Sequence, residues 1–143
     1  MSLLGRDEEA LEIERTIYRK QRASHGNANV GTIKSAINLA ASLQTLDRCA
    51  EARALLQETI PVVQRTLGPD HDLTLCCRRN CAEAVYTDPK SSLADLRRAQ
   101  TTLNDVYRRA RRVFGAQHPE TSSCERRMRE LEATLAARNS GGA

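Results

Sequence analysis

One short linker occurs three times in this chain, and each copy has a glycine six residues before a threonine. Helix-like, basic sequence precedes each glycine, and a new apolar period follows each threonine. A linker that recurs in this way predicts a helical repeat array, in which neighbouring repeats bury one continuous core. The glycine and threonine pairs are Gly26/Thr32, Gly68/Thr74 and Gly115/Thr121.

The spacing of the linkers gives the length of the repeat. Gly26 and Gly68 are 42 residues apart, and so are Asn38 and Asn80. The next interval, from Gly68 to Gly115, is 47 residues. We place the extra residues at 87–92, between the fourth and fifth predicted helices, because a loop can absorb an insertion there.

Apolar residues recur every three or four positions between the linkers, which is the period of an amphipathic helix. Aromatic residues make up only 3% of the chain, so the core must be aliphatic. We therefore predict an all-α, solenoid-like fold, with residues 1–138 as one domain and 139–143 as a flexible Gly/Ser tail. The six antiparallel helices are expected at about 7–24, 32–46, 48–66, 73–87, 92–113 and 119–138.

Charge and cysteine usage limit the functional class. The net charge of +4 is too small to require a nucleic-acid partner, and no apolar run is long enough to cross a membrane. Five cysteines form an odd set without the spacing of a disulfide framework, so we expect reduced thiols. These features predict a cytoplasmic, reducing location, with an organelle still open if a transit peptide was removed.

Catalytic and metal-binding motifs are missing from the sequence. We find no Gly-rich phosphate loop and no nucleophile elbow, and the histidines lie in the linkers. The nearest approach to a ligand cluster is His71 with Cys76, Cys77 and Cys81, which lacks the Cys-x-x-Cys pairs of structural zinc sites. We therefore predict a protein that is not an enzyme and has no cofactor and no metal.

Two kinds of motif repeat with the helices. Asn38-Leu39-Ala40 and Asn80-Cys81-Ala82 lie in the predicted helices, and Leu67-Gly68-Pro69-Asp70-His71 and Phe114-Gly115-Ala116-Gln117-His118-Pro119 lie in the linkers. The chain resembles the tetratricopeptide repeat (TPR) in the long form found in kinesin light chains. Departures from that pattern are the first linker, which lacks Asp-His-Pro, Asp72 in place of the proline, and Arg127 in place of the asparagine.

The resemblance implies a non-catalytic adaptor, scaffold or small structural subunit that binds a protein or peptide partner. In that family the first helix of each repeat lines a concave groove. Arg127, with Lys34 in the same groove, would favour an acidic peptide. The alternative is that Asn38 and Asn80 only bond neighbouring helices. The groove residues by position are Lys34, Ser35, Asn38, Ser42, Cys77, Asn80, Glu83, Ser123, Arg127 and Glu130.

The two ends of the array lack their usual hairpin partners. The chain begins with a second-type helix and ends with a first-type helix, so each end helix has a face with no neighbour. We expect these faces to dock on a partner, in a homo-oligomer or a larger complex. Their apolar residues are Ile13, Ile17 and Tyr18 at one end and Met128, Leu131 and Leu135 at the other.

Clusters of arginine leave a second function open, that of an RNA- or polyanion-associated assembly subunit. Consecutive helical residues point in different directions, however, so these arginines do not form one stripe. The interleaved aromatic residues that stack bases are also missing. We therefore favour a solvated face, with nucleic acid as the less favoured partner. The clusters are Arg78-Arg79, Arg97-Arg98, Arg108-Arg109-Arg111-Arg112 and Arg126-Arg127-Arg129.

Overall fold

The computed structural model describes residues 3–141 and contains six α-helices within that range. The predicted all-α architecture is confirmed, and each helix lies close to its predicted position. The last helix continues to Gly141 and so includes part of the predicted tail, while residues 142 and 143 lie outside the described range. The helices are α1 (Leu3–His25), α2 (Val30–Thr45), α3 (Cys49–Leu67), α4 (Asp72–Tyr86), α5 (Leu93–Phe114) and α6 (Pro119–Gly141).

The helices form two layers. Each helix packs against the next one along the chain, and α4 also packs against both α2 and α6. Helices α2, α4 and α6 therefore form a continuous layer, which we call the inner layer. Helices α1, α3 and α5 pack mainly on inner-layer helices, with a few side-chain contacts between outer helices such as Arg15–Glu51, and we call them the outer layer.

The core is aliphatic and centres on α4. Four clusters of buried side chains run along the array, and α4 contributes to every one of them. Its Ala84 packs with α1, α2 and α3, while its Leu75 packs with α5 and α6. Because α4 is covered on both sides, its position fixes the spacing of the inner layer.

The recurring linker is a hydrogen-bonded turn. Gly68 and Gly115 have φ values of +94° and +92°, which L-residues with a Cβ rarely adopt. Six residues later, Thr74 Oγ1 donates a hydrogen bond to the Gly68 carbonyl oxygen at 2.7 Å. Thr121 Oγ1 donates to the Gly115 carbonyl oxygen at 2.8 Å in the same way. In the second and third linkers the glycine and threonine that mark the repeat therefore close the same turn, whereas Thr32 Oγ1 in the first linker has no such bond within the described residues.

The two linker histidines cap the helices that follow. Nδ1 of His71 accepts a hydrogen bond from the backbone N–H of Leu73, and Nδ1 of His118 accepts from that of Glu120, each at 3.1 Å. Asn29 has the same role before α2, where its Oδ1 accepts from Gly31 N at 2.8 Å. The linker histidines therefore fix the turns that precede α4 and α6.

Candidate peptide-binding groove on the inner layer

An open groove of about 560 Å³ runs across the inner layer. Polar side chains dominate its walls, and most of them come from α2, α4 and α6 and from the turns after α2 and α4, with Cys49 at the start of α3. Such a surface can bond the backbone of an extended peptide, because it offers donors and acceptors from three helices. The lining residues are Ala41, Gln44, Thr45, Asp47, Cys49, Arg79, Asn80, Glu83, Thr87 and Arg127.

The two asparagines of the repeat have different surroundings. Asn80 is 9% exposed and lies between α2 and α6, where its Nδ2 contacts the Cys76 sulfur at 3.6 Å. Asn38 occupies the equivalent position in α2 and is exposed. The difference arises because α2 has no inner-layer helix before it within the described residues. Asn80 therefore lines the groove, while Asn38 lies at its open end.

Arg127 was expected to meet an acidic peptide, and the structure gives it an internal partner instead. Its Nε lies 2.6 Å from Oε2 of Glu83, and its Nη1 donates to the Ser123 carbonyl oxygen at 3.3 Å. Glu83 also accepts a long hydrogen bond of 3.5 Å from Gln44 Nε2. Because its charge is balanced by Glu83, Arg127 no longer supports the prediction of an acidic partner.

A second buried ion pair, which we did not predict, joins α4 to α6. Arg79 Nη1 donates to Glu120 Oε2 at 2.6 Å, and the two side chains are only 13% and 11% exposed. Arg79 Nη2 also donates to Asn80 Oδ1 at 3.3 Å. The sequence signal for this pair was weak, because Arg79 belongs to a cluster of arginines and Glu120 opens the next helix. The pair holds the Asn80 side chain in place.

The other predicted groove residues divide into surface and interior positions. Lys34 is exposed, while Ser35 and Ser123 are half-buried. Ser42 faces the outer layer, where its hydroxyl donates to the Glu14 carboxylate. Glu130 is exposed and accepts from the buried Tyr86 hydroxyl.

Cys77 is not on the groove floor, contrary to its predicted position there. Its side chain is fully buried against Ile33 and Val63, between α2, α3 and α4. Burial raises the pKa of the Cys77 thiol to about 12, and it raises that of Cys124 to about 11. All five cysteines are free thiols, and no group of metal-binding side chains lies within the described residues.

The predicted terminal faces also differ from each other. Ile13 and Ile17 of α1 are exposed, whereas Tyr18 is half-buried against α2 and α3. At the other end Leu131 is fully buried, because it packs between α4 and α5, and it belongs to the core instead of an exposed face. Met128 and Leu135 are half-buried against the same cluster.

The arginine clusters are largely neutralised by carboxylates. Asp105 pairs with Arg78 at 2.8 Å and with Arg109 at 2.9 Å, and Asp70 joins Arg109 at 2.8 Å. A hydrogen bond from Arg109 lowers the pKa of Asp70 below its ordinary range. Further pairs are Arg98–Asp95, Arg108–Asp105, Arg112–Asp70 and Arg126–Glu130. These contacts reduce the free positive charge that a polyanion could bind, although Arg97 and Arg111 have no carboxylate partner within the described residues.

Residues 30–94 match the family model described as tetratricopeptide repeat. This segment contains α2, α3, α4 and the first two residues of α5. No curated protein sequence is significantly similar to the chain. None of the described helices is both long enough and apolar enough to cross a membrane.

Solved structures of kinesin-light-chain-like proteins share the fold. One from Podosopora anserina, with nearly identical TPR-like repeats, superposes with a TM-score of 0.80 at 18% identity, over 92% of this chain and 60% of that chain. A variant of it gives 0.54 at 16% identity, over 95% and 82% of the two chains. BtubC (BKLC) from P. vanneervenii gives 0.57 at 14% identity, over 92% and 59%.

The predicted resemblance to the long, kinesin-light-chain-like TPR solenoid is therefore confirmed. This chain spans about 60% of the length of two of those structures. The repeat indicates a role in protein–protein interaction or scaffolding, and the fold is one that is typically non-catalytic.

Proposed function

We propose that this protein, a tetratricopeptide repeat protein of the kinesin-light-chain-like type, is a non-catalytic adaptor that binds an extended peptide along its inner layer. The observation that carries the proposal is the groove of about 560 Å³ lined by α2, α4 and α6. Its volume suits a short peptide segment, and its walls supply amide and charged groups from both sides.

The groove is held in shape before a peptide binds. Arg79–Glu120 and Arg127–Glu83 each connect α4 to α6, so the side chains around Asn80 do not need to be ordered on binding. Preorganisation of this kind reduces the entropic cost of association. Asn80 and Gln44 can then donate to and accept from a peptide backbone, which gives affinity without a strict sequence requirement.

The charge of the partner follows from the same contacts. Each groove arginine already has a carboxylate partner, so the groove has alternating charges instead of a basic floor. We therefore propose a peptide recognised mainly through its backbone, and we do not retain the preference for acidic sequence. The paired arginines likewise favour this function over RNA or polyanion binding.

Displayed random peptides would test the proposal. Peptides selected against the wild-type chain are measured against two variants that each add one arginine to an exposed alanine. Ala41→Arg fills the groove from α2, whereas Ala54→Arg lies on the outer-layer helix α3. We expect Ala41→Arg to weaken binding at least about tenfold and Ala54→Arg to leave it unchanged. Equal binding to both variants would refute the groove as the site.

A further inference from the structure

The outward side of α1 has an apolar centre. Ile13 is 60% exposed and Ile17 is 46% exposed, and they lie one turn apart on the same side of the helix. Glu9 and Lys20 continue the line at both ends, because they are spaced four and three residues from the isoleucines. We call these four residues the α1 stripe.

The repeat shows what this side of the helix is built to contact. Leu55 of α3 occupies the position of Ile13, one 42-residue period later. Leu55 packs against the cluster that contains Leu11, Leu39 and Leu43 of the preceding helices. The equivalent side of α1 is an inter-repeat packing surface, and no other described residue covers it.

The α6 end of the array has polar residues where the α1 end has apolar ones. Ala82 and Val85 of α4 pack against the α5 side of the core. The residues at the equivalent positions of α6, 47 residues later, are Arg129 and Glu132, and both are exposed. A polar outer face is the usual form of a solenoid cap. Among the side chains that the structure describes at the two ends, those of α1 therefore present the exposed packing surface.

The charges of α1 are divided along its length. Residues 3–14 contain five carboxylates and one arginine, whereas residues 15–25 contain three arginines, one lysine and no carboxylate. A second α1 placed antiparallel would set each acidic half against a basic half. A parallel arrangement would set like charges together. The helix is thus electrostatically complementary to itself in one orientation only.

We propose that two copies of this chain associate through the α1 stripe, with their α1 helices antiparallel. If a two-fold axis that passes midway between Ile13 and Ile17 relates the two copies, Glu9 of one copy lies opposite Lys20 of the other. The two residues lie at nearly equal distances from the axis, because the helix rises about 1.5 Å per residue. Neither of these charged side chains has an ion-pair partner within residues 3–141.

The isoleucines form the desolvated centre of this contact, and the charges form its rim. The interface does not depend on the proposed groove, because α1 belongs to the outer layer and contributes nothing to the groove lining. Dimerisation and peptide binding can therefore fail separately.

Sedimentation velocity over a concentration series tests the apolar centre. We expect the wild-type mass to rise from one chain toward two with concentration, and the double variant Ile13→Glu/Ile17→Glu to stay at one chain. Val113→Glu is the matched control, since Val113 of α5 is also 46% exposed. It should behave as wild type. A wild type that stays at one chain, or a control that dissociates equally, would overturn the proposal.

Charge reversal tests the orientation. Glu9→Lys and Lys20→Glu should each weaken self-association by about tenfold or more, since each places like charges together in both symmetry-related contacts. Mixing the two variants in equal amounts should restore association, because each contact then joins opposite charges. Circular dichroism checks that both variants are folded. Folded variants that stay monomeric when mixed would overturn the antiparallel arrangement.

Discussion

Arg127 pairs with Glu83 across the inner layer, with 2.6 Å between Nε of the arginine and Oε2 of the glutamate. Arg127 occupies the position that asparagine has in the two earlier repeats. An ion pair thus holds α6 to α4 at this position of the repeat. At the equivalent position of α4, Asn80 contributes an uncharged amide.

Removing one partner of this pair should destabilise the fold. Arg127→Met leaves the Glu83 carboxylate unpaired in a site where the two side chains are 11% and 24% exposed. We expect the free energy of unfolding in urea to fall by about 1–3 kcal/mol, less than for a fully buried pair. The matched variant Glu83→Gln, combined with Arg127→Met, should cost less than the two single losses added together. Additive losses would contradict the pairing.

Removing the hydrogen bond that the linker threonine makes in its turn should also lower the free energy of unfolding. Thr74→Val removes the hydrogen bond to the Gly68 carbonyl oxygen at a fully buried position, which should lower the free energy of unfolding by about 1 kcal/mol or more. Thr32 is the internal control, because its buried Oγ1 has no hydrogen-bond partner within the described residues. Thr32→Val should cost clearly less in thermal or urea unfolding. Equal costs would show that the turn bond adds nothing.

The residues inserted between the second and third repeats end in the N-terminal cap of α5. Ser92 Oγ accepts from Asp95 N at 3.0 Å, and the Asp95 carboxylate accepts from Ser92 N at 3.2 Å. A hydrogen bond from Arg98, together with these capping bonds, lowers the pKa of Asp95 to about 2. Ser92→Ala should lower the free energy of unfolding by about 1 kcal/mol. Ser92→Asp, which can still cap, should recover most of that loss.

Alkaline pH should destabilise the fold through its buried thiols. The pKa of Cys77 is raised to about 12 from an ordinary value of 9.0, so the unfolded chain loses this proton first as pH rises. The contribution of the thiol to stability is therefore complete below pH 9 and declines between pH 9 and 12. Between pH 9 and 10.5 the loss should be about 1–2 kcal/mol. Cys77→Ala should show a shallower pH dependence, and an unchanged slope would contradict this account.

The sequence predicted the helices well because the linkers carry local signals. The glycines, the caps and the threonines act within a single turn, so their positions can be read without knowing the neighbouring helices. Two adjacent serines, Ser91 and Ser92, precede α5, and the sequence alone does not decide which of them caps it. The structure assigns the cap to Ser92, while Ser91 Oγ donates to the Val85 carbonyl oxygen.

The site was harder to predict because its contacts join separate helices. Position in the repeat placed Asn80 and Arg127 correctly on the inner layer, but it could not show that Glu83 would reach Arg127. Periodicity likewise placed Ile13 and Ile17 on one side of α1 without showing that Leu11 is the residue buried against α2. Within the described residues, α1 keeps the pattern of a packed face without a helix that covers it.

Nuclear magnetic resonance of the isotope-labelled chain, titrated with a selected peptide, tests the groove most directly. We expect the largest changes in backbone amide shifts at Ala41, Gln44 and Thr45 of α2 and at Asn80 and Glu83 of α4, because these residues line the groove. Helix α5, and α3 beyond its groove-lining first residue Cys49, should change little. Saturable shifts confined to the outer layer, with none at Gln44 or Asn80, would contradict a peptide-binding inner layer.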